Sequence, residues 1–406
     1  GFTMPWRLYT NEYWAPTEVN NSTHGLKYNR FISSDSFFDL LLKIDSKDYI
    51  TGHGARRDTV NIYTVFGAGD DAWTADEAPI GFFGGPLFSV EGRLAFGGAI
   101  STSRDSSKVR TVTLKGNYTK QLNNNHQLKT GGEFVYSKLD LKYGSQNEFL
   151  PLGNYWSFMD VNPYRLSVFA QDKLEYKGFV AILGLNLDVL NPNGDWYVIE
   201  NYDDDFFSSN YTASTEETFE TVSLDPQVQL SPRLALSHPI TETSKLYFNY
   251  GHYQQMPIAQ DLYRVRRGFS EEVLTIGDPT LPMANTIAYE IGFDQSFLES
   301  YLIHISAYYK DISDQQDYTK FISANSKVNY YRLTANSYED IRGFELELSR
   351  VRGEWLTGFM NYEYRVNTSG YYGLGYYYEN PADQRNYELN NEKQYKPRPI
   401  PRIKSV

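Results

Sequence analysis

The feature that most constrains this chain is a period-two alternation of apolar and polar residues, sustained over segments too long for ordinary soluble strands. In Val109 to Leu122, Val112, Leu114, Gly116 and Tyr118 share one face. Thr111, Thr113, Lys115, Asn117 and Thr119 share the other. In Thr286 to Asp294, Ile287, Tyr289, Ile291 and Phe293 oppose Thr286, Ala288, Glu290, Gly292 and Asp294. Lys245 to Tyr253 and Ile341 to Ser349 repeat the pattern. Such alternation marks a strand with two unlike faces. The segments fall at 22–32, 36–50, 108–122, 126–143, 162–176, 178–191, 225–238, 244–256, 284–296, 300–313, 336–349 and 354–368, and a thirteenth begins near Ile400. Soluble strands usually run to about 5–6 residues. A tilted strand crossing a bilayer needs about 9–11.

The connections sharpen this reading. Short turns at 33–35, 123–125, 176–178, 241–243, 298–300 and 350–353 interleave with long loops at 51–107, 144–161, 192–224, 257–283, 314–335 and 369–396. That order predicts an antiparallel up-and-down meander with one trimmed and one elaborated rim, as in transmembrane barrels with short periplasmic turns and long extracellular loops. A β-sandwich would have shorter strands and turns every 8–12 residues or so. A propeller would repeat a signature every 40–50 residues or so, and none is present.

Composition fits once it is sorted by strand face. Mean hydropathy is −0.53, and no apolar run approaches the ~18 residues of a membrane helix. In a barrel only the lipid-facing half of each strand must be apolar. Tyrosine, with 35 copies, suits a membrane interface because its ring is apolar and its hydroxyl is wet. The chain has no cysteine, which excludes disulfides and thiolate chemistry. A net charge of −12 excludes nucleic acid as a partner, because counterion release from phosphates needs a basic surface.

No catalytic arrangement emerges. No two of the six histidines are three to five residues apart, so a helical zinc motif is excluded. Neither a Gly-x-Ser-x-Gly elbow nor a Walker loop is present. Gly67-Ala-Gly69 continues as Asp70-Asp71-Ala72 and fails the dinucleotide fingerprint. The expectation is a non-enzyme with no cofactor and no metal.

The candidate ligand residues lie in the long loops. Loop 192–224 offers Trp196, Tyr197, Tyr202 and Tyr211 beside Asp203, Asp204 and Asp205. Aromatic rings stack on flat or sugar-like groups, and carboxylates bind cations or hydroxyls. The aspartate run has the hard oxygens of a calcium loop but lacks its glycine and acid spacing, so a solvated cluster is expected. Loop 257–283 offers Tyr263, Arg264, Arg266 and Arg267, suited to an anionic ligand or lipopolysaccharide. Loop 144–161 adds Tyr155 and Trp156. On the strands, Arg233, Lys245, Arg342 and Glu345 are placed to face a lumen, where cross-strand packing accounts for them. Gly178 is expected to take the positive φ of a tight hairpin turn.

One resemblance joins these pieces. Ser167-Val-Phe-Ala-Gln-Asp-Lys-Leu-Glu-Tyr-Lys-Gly178 is followed by Leu183-Gly-Leu-Asn-Leu-Asp188 and Asn191-Pro192. Then come Ser231-Pro-Arg-Leu-Ala-Leu-Ser-His-Pro-Ile240, Leu246-Tyr-Phe-Asn-Tyr-Gly-His-Tyr253 and Gly277-Asp-Pro-Thr-Leu281. Ala288-Tyr-Glu-Ile-Gly292, Ser306-Ala-Tyr-Tyr-Lys-Asp-Ile312 and Arg342-Gly-Phe-Glu345 complete the series. Their order and spacing, from about residue 20 to residue 370, resemble the barrel of a TonB-dependent outer-membrane receptor of the Bacteroidetes-like kind.

The resemblance implies an active-transport receptor in the outer membrane of a Gram-negative bacterium. Such a receptor binds a scarce nutrient at its extracellular loops and imports it with energy from the TonB complex. Its surroundings are outer-membrane lipid and lipopolysaccharide, and its ligand is a small-molecule or oligomeric nutrient. The family's plug, its TonB-contacting N-terminal part and its last strands have no counterpart here. The expectation is therefore one incomplete β-barrel domain, 1–406, holding 12–13 strands of a larger barrel. Residues 1–21 read as a loop or strand end, 22–368 as strands and loops, 369–396 as an extracellular loop, and 397–406 as the start of a truncated strand. A passive porin-like channel is the alternative; an outer-membrane hydrolase would need a catalytic cluster at the strand tops.

Overall fold

A computed structural model describes residues 16–52, 103–145, 155–350, 352–353 and 355–390, together with the strands Tyr63–Phe66, Trp73–Ala75, Ser89–Val90, Leu94–Ala95 and Tyr395–Arg402. Most of predicted loop 51–107, residues 1–15, the Gly67-Ala-Gly69 run and the last four residues lie outside the described residues.

The architecture is all-β. The wall strands are β1 (Thr17–Ser33), β2 (Ser36–Thr51), β3 (Lys108–Gln121), β4 (His126–Ser145), β5 (Tyr164–Tyr176) and β6 (Phe179–Asn191). They continue as β7 (Gln227–Thr241), β8 (Ser244–Gln255), β9 (Ala284–Phe297), β10 (Tyr301–Ile322), β11 (Asn329–Arg350), β12 (Gly358–Tyr371) and β13 (Tyr395–Arg402). Each pairs antiparallel with the next, so the wall is an unbroken meander from β1 to β13. The twelve predicted segments correspond to β1–β12, and the predicted start near Ile400 falls within β13.

Register carries the alternation from strand to strand. Leu42 pairs with Leu114, Leu114 with Phe134, Phe134 with Leu166, and Leu166 with Val189, giving one apolar row. Further round, Phe248 pairs with Ile291, Ile291 with Ala307, and Ala307 with Phe344. A one-residue slip would turn every one of these side chains to the other face, so the pattern itself fixes the register. The opposite face is polar and cross-linked. Glu133 receives Lys115 at 3.5 Å and Arg165 at 3.3 Å. Asp294 pairs with Lys245 at 3.0 Å and with His304 at 2.5 Å. Asn117 donates to Asp39 at 2.8 Å.

Of the four strand residues expected to face inward, Arg233 stacks over Tyr253 at 4.8 Å, Lys245 joins the Asp294 pair, and Glu345 pairs with Ser306 on the polar face. Arg342 is different. It is two residues from Phe344 and opposite Tyr309, so its parity puts it on the apolar face.

The turns match their sequences. Lys177 (φ 49°) and Gly178 (φ 83°) both take positive φ in the two-residue loop between β5 and β6, as the twist of a tight hairpin requires. The predicted long loop 314–335 is instead largely strand. β10 and β11 run on to Ile322 and from Asn329, beyond a bulge at Ile312–Gln315. Polar residues Gln315, Gln316 and Asp317 hide this extension from an apolar-alternation reading.

On the long-loop side, short strands form an arch. The upper end of β4 pairs with Tyr155–Val161, which pairs with Val265–Gly268. That segment pairs with Val273–Ile276, which lies parallel to Tyr331 and Arg332 of β11. The arch leaves the wall at β4 and rejoins it at β11, spanning the tops of β5 to β10. The long loops also carry helices α1 (Asp204–Phe207), α2 (Ala213–Glu216) and α3 (Ala259–Tyr263); α4 (Pro381–Asn390) is a surface helix with no buried residue. Two packed cores sit here. One gathers Leu139, Met159, Leu190, Leu262, Leu281 and Met283; the other gathers Phe206, Phe207, Val273, Phe321, Val328 and Tyr330.

Candidate functional site

The cap is built from local signals. Asp203 is the N-cap of α1, its carboxylate accepting the Phe206 N–H at 2.8 Å. Asp204 and Asp205 occupy the first turn, where the exposed N–H groups favour negative charge. Asp204 also accepts from Asn210 at 3.2 Å and pairs with Lys327 at 3.6 Å. The acidic run thus starts a helix that drives Phe206 and Phe207 into the second core. Among the described residues no group of three or more His, Asp or Glu side chains could hold a metal ion.

Thr212 caps α2 through its hydroxyl, which accepts the Thr215 N–H at 3.1 Å. This positions Glu216, whose two oxygens accept the phenols of Tyr197 and Tyr211. Burial, and next the bond to Glu216, push the Tyr197 phenol above its ordinary pKa. Trp196 and Tyr197 ride on a ribbon in which Asp195–Tyr197 pairs with Thr221–Ser223. Tyr263 ends α3, buried, with its hydroxyl donating to the Pro192 carbonyl at 2.9 Å.

The three arginines of the predicted basic cluster diverge. Arg264 donates to the Tyr318 hydroxyl at 2.5 Å. The Arg266 guanidinium lies 3.7 Å from the Tyr155 ring centre. Arg267 lies 3.3 Å from the Tyr211 ring centre and 4.9 Å from that of Phe206, and donates to the Phe206 and Glu271 carbonyls at 3.0 and 2.8 Å. Burial holds its pKa below the usual arginine value, while Glu216 and Glu271 oppose that shift.

A cavity of about 670 Å³ opens between the strand Tyr155–Val161 and the excursion 194–221. Six predicted residues line it: Trp156, Trp196, Tyr197, Tyr211, Tyr263 and Arg267. Tyr155, Tyr202, Asp203, Asp204, Asp205, Arg264 and Arg266 do not. Tyr202 instead packs on Phe321 in the second core, ring centres 6.2 Å apart. Sequence reasoning missed Phe158, Asp160, Asp195, Glu216 and Glu271, which also line the cavity. Phe158 was within reach of it, since it is two residues from Trp156 on one strand face and its ring stacks there at 6.2 Å. Gly144 makes room for Trp156: a Cβ there would lie 2.6 Å from the indole and 2.2 Å from the Tyr155 carbonyl oxygen.

A family model described as "TonB dependent receptor-like, beta-barrel" matches residues 3–404. The chain belongs to that family. Among solved structures this receptor barrel resembles the outer membrane transporter YddB from Escherichia coli, with a TM-score of 0.54 at 13% identity, covering 87% of this chain and 43% of that one. The FrpB iron transporter from Neisseria meningitidis, in its apoprotein form, aligns with a TM-score of 0.48 at 12% identity, covering 87% of this chain and 45% of that one. The ferric yersiniabactin uptake receptor FyuA from Yersinia pestis gives 0.47 at 9%, covering 88% and 44%. The receptor barrel therefore spans less than half the length of each. No curated protein sequence matches it.

The family places the receptor barrel in the outer membrane of Gram-negative bacteria, among receptors. The apolar strand face is then the lipid face and the cross-linked polar face lines the lumen. Among the described residues no helix is long and apolar enough to cross a membrane; the strands do the crossing.

Proposed function

We propose that the receptor to which this barrel belongs captures a scarce nutrient beneath its extracellular loops and imports it across the outer membrane with energy from the TonB complex. The observation that carries this is the cap cavity. Its walls come from three separate chain segments, and six of the residues expected to bind ligand converge on it. Loops serving only to join strands would have no need of two packed cores, because connecting segments ordinarily run over a surface and vary freely. A preformed concavity lined largely by aromatic and other apolar residues, with a few fixed polar groups, is the usual form of a small-molecule site.

The proposed ligand set is Tyr155, Trp156, Trp196, Tyr197, Tyr202, Asp203, Asp204, Asp205, Tyr211, Tyr263, Arg264, Arg266 and Arg267. The six that line the cavity form its inner part. The others support it or sit on the approach, where outer-membrane lipid and lipopolysaccharide are also within reach.

Deletion of the gene tests the proposal. Uptake of one nutrient should be lost while general permeability stays intact, and the loss should be reproduced by removing TonB. Normal uptake by the deletion strain across a full nutrient panel would refute it.

A further inference from the structure

The cavity's charge is one-sided. Asp160, Asp195, Glu216 and Glu271 line it against a single guanidinium, that of Arg267. Moreover, that guanidinium is partly engaged: its Nη1 donates to two backbone carbonyls, and it lies 3.3 Å from the Tyr211 ring centre. Arg264 and Arg266, the cations nearby in sequence, are turned onto Tyr318 and Tyr155 and do not line the cavity. Arg267 is thus the single cation in a lining that carries four carboxylates.

The same wall already carries one cation. Arg267 sits between aromatic rings, with Glu216 and Glu271 acting on its charge. Aromatic faces attract cations through the negative potential over the ring, and the attraction grows as water is excluded. The protein has thus placed one cation of its own in this setting. The remaining walls repeat the chemistry, with Trp156, Phe158 and Trp196 as rings and Asp160 and Asp195 as exposed carboxylates.

We infer that this cavity takes a ligand bearing an organic cation, held over its aromatic walls and opposite its carboxylates, and turns away anions. The inference rests on the uptake reading above and adds the charge class of the ligand. It reverses what the arginine-rich sequence of loop 257–283 suggests, because the fold turns Arg264 and Arg266 onto tyrosines outside the cavity.

The test uses the full-length receptor in detergent and three probes of one ring each: benzyltrimethylammonium, benzyl alcohol and benzenesulfonate. Tryptophan fluorescence reports binding, and Trp196→Phe assigns the signal to the cavity. The cation should bind about tenfold more tightly than the anion at low salt, with the gap narrowing as salt rises. The double variant Asp160→Asn, Asp195→Asn changes two exposed side chains and should shrink that gap to under about threefold. Equal binding of the three probes, tighter binding of the sulfonate, or no binding of the ammonium at millimolar concentration would each overturn the inference. A deletion strain that loses uptake of an anionic nutrient would also overturn it while leaving the uptake proposal standing. Normal uptake by that strain would sink the uptake proposal without changing the probe ranking.

Discussion

In the barrel wall, Leu183, Leu230 and Ile291 are 61, 59 and 49% exposed, whereas in the cap Leu262, Phe206 and Tyr330 are 2, 0 and 0% exposed. The same residue types therefore have different surroundings. The wall has no core of its own along its apolar face; lipid replaces it. The cap stands in water and must bury its apolar side chains against one another. Stacked rings run through it: Phe207 on Tyr330 at 4.0 Å, Tyr330 on Phe321 at 5.4 Å, and Phe321 on Tyr377 at 5.4 Å. The wall should thus be held by register and lipid, the cap by packing.

Substitutions that separate the two regions follow from that difference. The largest effect is expected in the cap. Phe206→Ala empties a fully buried site and should cost about 3–5 kcal/mol of local stability. Limited proteolysis should then cut within 192–226 while the heat-modifiable barrel band on gels persists. Next comes the wall, where Ile291→Arg at the centre of β9 should cost about 2–4 kcal/mol on the lipid face. Insertion into vesicles should drop, whereas Asn249→Arg, on the polar face of the adjacent strand, should insert normally. Equal behaviour of these two would mean that the faces are misassigned.

A third substitution returns to the cap. Asp278→Asn weakens the 3.0 Å pair with Arg332, which also reaches Asn201 at 3.1 Å and so ties two loops to β11. A loss of about 1.5–3 kcal/mol is expected for such a charged hydrogen bond, read as faster amide exchange at 199–207 with exchange in β5 and β6 unchanged. The smallest effect lies in the short-turn rim. Gly178→Ala puts a Cβ on a residue at φ 83° and 2.9 Å from the Pro239 ring. It should lower barrel stability by about 1 kcal/mol, seen as a small drop in the thermal midpoint with probe binding at the cap unaltered.

The wall was legible in the sequence because one physical rule governs each strand. Lipid on one side and water on the other impose period two, and residues such as Val112, Leu114 and Tyr118 record it directly. The cap was less legible because its burial is decided by contacts between distant segments. Nothing local in Gln315, Gln316 and Asp317 says that β10 continues through them. Nor does Glu216 announce that it will accept the phenols of Tyr197 and Tyr211, since only the fold brings the three together. Six cavity residues were legible as aromatic or basic loop positions, but their sorting into lining and support was not. The arginines show the limit best: adjacent in sequence, they point to three different partners.

The absence of cysteine from this chain allows a direct test of the wall. Single cysteines introduced at 288 to 293, labelled with nitroxide in the membrane-embedded receptor, can be probed with a lipid-soluble and a water-soluble relaxation agent. Positions 289, 291 and 293 should respond to the lipid-soluble agent, and positions 288, 290 and 292 should not. A uniform response along 288–293 would contradict a wall with one lipid face and one lumen face.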